Sequence, residues 1–200
     1  MATNPRIPAN DPGGILPRRS IALGILAGGR ASRLAGRDKA WMVHDGYALI
    51  ERTLRAAGGG FAARLVSANR DAQRYEMLEL RVVADRVPDF PGPLAGIDAL
   101  LQACEAPVLL TLPTDLRKLP DDLVERLLSM GEGGAVAHDA RGLQPLVAIW
   151  PVARARIAVA AALASGDAAV HRVVAELALP AVRFDGADFG NLNTPEDFLT

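Results

Sequence analysis

"SIALGILAGGRASRLAGRDKA" occupies Ser20 to Ala40. Its first third is apolar without alternation, the pattern of a short strand buried on both faces of a parallel sheet. The apolar run gives way at Gly28 and Gly29, and four cations follow, Arg30, Arg33, Arg37 and Lys39, against one acid, Asp38. The whole chain carries a formal net charge of -1, so this loop is a local positive island. Glycines at positions 28 and 29 can take positive φ and bring the backbone close to a ligand. Successive amides there can form an anion-binding concavity. Arg33 can clasp phosphate oxygens through two donors, and Lys39, expected to be partly exposed, can serve as a mobile point charge. The competing reading is a solvated turn, because the loop has neither the GK[ST] of a P-loop nor G-x-G-x-x-G.

Working outward, 200 residues suit one domain with a sizeable core. Half are hydrophobic and 22% charged, an ordinary globular balance. The near-neutral net charge argues against a general binder of nucleic acid or of anionic membrane. A single cysteine, Cys104, excludes an internal disulfide, which fits a reducing compartment such as the cytoplasm. No apolar stretch reaches the ~18 residues of a membrane span. "PRRSIALGILAGG" has the two arginines and apolar run of a twin-arginine export signal. The run soon meets Arg30 and Arg33 without a small-residue cleavage site, which favours a strand. Residues 1–19 are rich in proline and lack periodicity, and read as a disordered leader before a domain spanning 20–200.

Strand and helix signals alternate from there. "FAARLVSANR", "LRVVADR" and the very apolar "APVLLTLPTD" read as strands, the last at the sheet centre. "GGAVAHDA" and "QPLVAIWP" suggest an antiparallel pair, and "AVRFDG" a late strand. "YALIERTLRAAGGG", "GPLAGIDALLQACE", "PDDLVERLLSMG", "VARARIAVAAALASG" and "DAAVHRVVAELA" read as helices. In "NTPEDF", Thr194 can cap a helix, Pro195 open it and Asp197 reach back. The alternation predicts an α/β fold, a single doubly wound, mostly parallel sheet sandwiched by helices.

Such sheets bind ligands beyond the carboxyl ends of their strands. The segments expected there are polar, acidic or rich in glycine: the first loop, "SANR", "ADRVPDFPGPLAG", "LPTD" and "DGADFGNLNTPED". Asp115 ends the most apolar strand. It reads either as a carboxylate for Mg²⁺ with substrate phosphates or as a capping or salt-bridged residue, with Lys118 as a partner. Asp85, after the third strand, carries the same two readings. His44, His138 and His171 are scattered without metal-ligand spacing.

These motifs in this order resemble the molybdenum cofactor guanylyltransferases, the MobA-type nucleotidyltransferases. The resemblance rests on "LAGGRASRLAGRDK", "SANR", "ADRVPDFPGPLAG", "PTD", "QP" and "NLNTPED", and runs from about Ile21 to the C-terminus. It implies a Rossmann-like fold and Mg²⁺-dependent transfer of GMP from GTP to molybdenum-bound molybdopterin, with release of pyrophosphate, in the cytoplasm. It implies Leu26, Ala27, Gly28, Gly29, Ser67, Asn69 and Asp85 at the nucleotide, Arg33 and Lys39 at its phosphates, and Asp115 at the metal. It implies Asn191 and Asn193 at the pterin acceptor. Partners so implied are GTP, molybdopterin, and in passing the insertion proteins or molybdoenzymes that receive the cofactor. The sequence departs from the family at Ser67, where an Asn is usual, at Thr114 for Cys, at Gln144 for His, and at Arg117 and Lys118 for smaller residues. Ser67→Asn is accordingly expected to tighten GTP binding. The alternatives are a related enzyme with another base or acceptor, such as a cytidylyltransferase, and a non-catalytic nucleotide- or cofactor-binding module.

Overall fold

The computed structural model describes residues 15–27, 33–34, 37–86, 92–193 and 195–198. Seven strands form one sheet: β1 (Ile21–Leu26), β2 (Ala63–Ser67), β3 (Arg81–Val83), β4 (Val108–Pro113), β5 (Ala135–Asp139), β6 (Gly142–Pro151) and β7 (Ala181–Arg183). Their spatial order is β7-β5-β6-β4-β1-β2-β3, with β4 in the middle as its apolarity predicts. β1, β2, β3 and β4 are parallel, β6 runs antiparallel to both β4 and β5, and β7 is parallel to β5. The helices are α1 (Leu49–Ala57), α2 (Ala72–Glu76), α3 (Pro93–Ala103), α4 (Leu123–Leu128), α5 (Val152–Ala164) and α6 (Val170–Glu176).

The unbroken apolarity of β1 follows from its position. Ile21, Leu23 and Ile25 enter one core with Ile50 of α1 and Leu127 of α4. Ala22 and Leu26 enter the other, with Ile97 and Leu100 of α3 and Val159 of α5. Each alternate side chain therefore has an apolar layer to face, and a polar residue on either side would be buried. Inside the second core the Trp150 indole donates to Thr111 Oγ1 at 2.8 Å.

Three sequence expectations change. The domain reaches into the proposed leader: Leu16 is buried, its amide bonds Leu128 O, and Arg18–Ser20 form a 3₁₀ turn. Arg18 donates to the Ala57 and Gly59 carbonyls and pairs with Glu125, whose carboxyl it holds below the usual range. Residues 1–14 lie outside the described residues. The "NTPEDF" segment forms only a 3₁₀ turn, Pro195–Phe198, and Asp197 accepts from the Asn193 amide; Thr194 lies outside the described residues. Finally, a two-residue hairpin, Arg33–Leu34 against Arg37–Asp38, interrupts what reads as one loop. Among the described residues no helix is long and apolar enough to cross a membrane.

Candidate active site

The carboxyl edge of the parallel strands collects the candidate residues. Pairing continues past the strand ends: Ala27 N bonds Ser67 O, Ala68 N bonds Val83 O, and Thr114 N bonds Leu26 O. These bonds hold the loops after β1, β2, β3 and β4 side by side. Leu26 and Ala27 are both buried at this edge.

The first cluster centres on Lys39. After the hairpin, a 3₁₀ turn over Lys39–Trp41 aims its side chain inward; Asp38 Oδ1 accepts the Ala40 amide and stops the turn from fraying. Asp38 Oδ2 accepts from the Tyr75 hydroxyl of α2 at 3.0 Å. Burial, reinforced by the Asp38 charge, raises the Tyr75 pKa, so the phenol remains a donor throughout the working pH range. Lys39 Nζ lies 2.8 Å from Asp115 Oδ2 and 2.7 Å from Asn193 Oδ1. Its side chain is only 4% exposed, against the expected partial exposure, while that of Asp115 is 21% exposed. The correction has a physical cause: an ammonium can be buried when two acceptors replace its water. Lys39, and not Lys118, is the partner of Asp115.

The second cluster surrounds Asp85. Its carboxylate accepts from Ser67 Oγ at 3.2 Å and from Asn69 Nδ2 at 2.8 Å, and its amide donates to Asn69 Oδ1 at 2.9 Å. Ser67 is 1% exposed, so it acts behind Asp85 and does not front the cleft. Helix α3 explains the small residue. A Cβ on Gly96 would lie 2.7 Å from Ser67 Oγ and 3.2 Å from a Leu26 methyl, so Gly96 lets α3 approach β2 closely. A longer side chain at 67 would press on that contact.

The third element is the segment after β7. Leu192 N donates to Asp115 O at 2.7 Å, Arg117 N to Gly190 O at 2.8 Å, and Asn191 bridges Leu116. Asp139 anchors the start of this segment by accepting from the amides of Phe189 and Arg141 and from Gln144 Nε2. Burial pushes the Asp139 pKa up, yet these donors together outweigh it and the net shift is downward. Gln144 thus has a structural partner. Gly28 and Gly29 lie outside the described residues, and Arg33 is described only as backbone. Reading along the chain missed Asp38, Tyr75, Arg117 and Asp197 as parts of the site. Asp38 had one available signal: it is the only acid in a cationic loop and precedes the lysine.

The MobA-like NTP transferase domain matches residues 23–181. The chain belongs to that family. A molybdenum cofactor guanylyltransferase from Burkholderia orbicola (strain MC0-3) is 38% identical over 188 residues, 88% of this chain and 92% of that protein. Two solved structures share the fold at lower identity. Molybdopterin-guanine dinucleotide biosynthesis protein A from Archaeoglobus fulgidus has a TM-score of 0.66 at 21% identity, covering 88% of this chain and 94% of that one. The manganese complex of Rv0371C from Mycobacterium tuberculosis H37Rv has a TM-score of 0.59 at 16% identity, covering 89% and 95%. The doubly wound sheet is the one expected from the alternation of strands and helices, its Rossmann-like nucleotidyltransferase character is the one the resemblance implies, and the chain is an enzyme-family member of transferase type.

Proposed function

We propose that this chain transfers GMP from GTP to molybdenum-bound molybdopterin, forming the guanine dinucleotide cofactor and releasing pyrophosphate. The observation that carries the reading is Lys39 Nζ held between Asp115 and Asn193 at the carboxyl edge of the sheet. An ammonium there can face the triphosphate while the neighbouring carboxylate serves a cation. The named guanylyltransferase at 38% identity supports guanine over a cytidylyl or non-catalytic alternative.

A phosphomonoester oxygen of the pterin attacks the α-phosphorus of GTP. The new P–O bond forms as the bond to the β-phosphate oxygen breaks, and pyrophosphate takes the electron pair. The acceptor has a second pKa of ~6 and is mostly dianionic at neutral pH, so no general base is required. The difficulty is bringing two polyanions into line, which positioning and electrostatics must overcome. Lys39, with Arg33 and the amides of Gly28 and Gly29, binds the phosphates and opposes the charge growing on the leaving group. Asp85 accepts the paired N–H donors of guanine, while Leu26 and Ala27 form the floor beneath the nucleotide. Asn191 and Asn193 orient the acceptor.

Asp115 suits a divalent cation, Mg²⁺ by preference. Its carboxylate already holds one cation, the Lys39 ammonium, and its side chain is partly open to solvent. One carboxylate is enough where waters and phosphates complete the coordination. When bound, the cation would offset charge on the triphosphate. The setting we propose is the cytoplasm, with the product passed to proteins that insert it into molybdoenzymes.

Pyrophosphate release with molybdopterin and each of the four nucleotides at equal concentration tests the reading. GTP should be used in preference. A preference for CTP, or no release with any nucleotide, would overturn it.

A further inference from the structure

Arg117 lies two residues after Asp115, and the structure gives that arginine three attachments. Its amide donates to Gly190 O, its carbonyl accepts from Arg52 at 3.0 Å, and its guanidinium pairs with Asp197. The other oxygen of Asp197 accepts the Asn193 amide at 2.7 Å. Asn193 Oδ1 in turn accepts from Lys39 Nζ. One chain of contacts therefore runs from an outer arginine to the buried lysine. The Arg117 side chain is 41% exposed and that of Asp197 is 10% exposed. A charged carboxylate so enclosed needs a fixed donor, and a guanidinium supplies one with directional geometry.

We propose that Arg117 is a positioning residue for the acceptor end of the site: by fixing Asp197 it fixes the backbone at Asn193, and so aims the Asn193 amide group at Lys39 and the acceptor. This rests on the guanylyl-transfer reading for the identity of the acceptor, but not for the mechanical linkage. Arg117 itself touches no substrate. Its loss loosens one segment and leaves the sheet, the Asp85 cluster and the Lys39–Asp115 pair in place.

The test uses the full chain with Arg117→Ala, Arg117→Lys and Asp197→Asn. In substrate-free protein, Arg117→Ala should speed hydrogen exchange at the Leu192 and Asn193 amides and raise the rate at which an amine-acylating reagent modifies Lys39. The melting temperature should stay close to wild type. In turnover, KM for molybdopterin should rise about fivefold, the scale a partly exposed ion pair supports, while KM for GTP changes less than twofold. Arg117→Lys should restore most of both effects. Asp197→Asn should reproduce Arg117→Ala, and the double variant should add little. Unchanged exchange and unchanged Lys39 acylation in Arg117→Ala would overturn the linkage. Faster exchange with an unaltered acceptor KM would overturn the positioning role. If the wild type transfers no GMP, the guanylyl reading fails, and the exchange and acylation results still decide the linkage.

Discussion

The Lys39 cluster and the Asp85 cluster stand on the same edge of one sheet, yet different forces assemble them. Around Lys39, opposite charges meet across 76 residues to Asp115, and the Asn193 carbonyl joins from 154 residues away. Around Asp85, the donors come from the adjacent strand end, 18 and 16 residues away, and are a hydroxyl and an amide. Coulomb attraction in a partly buried place holds the first. The second is organised by hydrogen bonds from neutral donors, which leave the carboxylate's net charge available to a ligand. The difference suits a site in which one half must manage phosphate charge and the other must recognise a base edge.

The largest effect should come from breaking the charged half. Lys39→Met and Asp115→Asn should each lower turnover by ~10²–10³, the scale of a charged contact realised in the transition state. Steady-state rates at saturating GTP and metal check this, and wild-type turnover in Lys39→Met would leave the lysine a purely structural role. Next, Asp85→Ala should leave the charged half working but reduce base preference. Two unsatisfied donors at ~1–3 kcal/mol each imply a loss in GTP discrimination of roughly a hundredfold. Product ratios with the four nucleotides in competition measure it. Unchanged ratios would remove Asp85 from base recognition.

Smaller effects sharpen the contrast. Ser67→Ala removes one hydroxyl donor from the Asp85 carboxylate and should weaken GTP binding by up to about tenfold. Ser67→Asn should weaken it as well, reversing the expectation from sequence, because Gly96 leaves no room behind Asp85. Isothermal titration with GTP compares the two variants. The smallest effect on activity, but a visible one on stability, belongs to Asp139. Its pKa is lowered in the folded state. It therefore stabilises the fold above the unfolded carboxyl pKa of ~3.9, and the contribution disappears as pH falls through the folded value. Asp139→Asn, which turns a donor toward other donors, should cost roughly 1–3 kcal/mol near neutrality, or several degrees in Tm. Thermal melts from pH 7 down to pH 3 should show the gap between the two proteins closing.

The parts legible in the sequence are those decided locally. β1 and β4 announce themselves because a strand between two apolar layers must be apolar along its length. The segment order then predicts the sheet edge at which Asp85 and Asp115 gather. Burial of Lys39 was not legible, since a lysine reads as exposed until its acceptors are known, and those lie far along the chain. Ser67 looked like a missing amide because its packing against Gly96 of α3 is tertiary. Residues 15–19 looked like a leader through their proline neighbours. Leu16 and Arg18 are nevertheless held by partners on α1 and α4, including Glu125 at a separation of 107 residues.

The two tryptophans fall one to each regime of the molecule. Trp150 is fully enclosed and bonded to Thr111 in the heart of the sheet, so its emission follows the integrity of the whole fold. Trp41 closes the turn that begins at Lys39, its ring centre 3.9 Å from the Arg74 guanidinium and 4.8 Å, centroid to centroid, from Tyr75. Its emission follows the setting of the lysine turn. With Trp41→Phe and Trp150→Phe to separate the signals, intrinsic fluorescence becomes a two-channel optical record of this protein, in which rearrangement of the lysine turn and global unfolding can be watched without any attached dye.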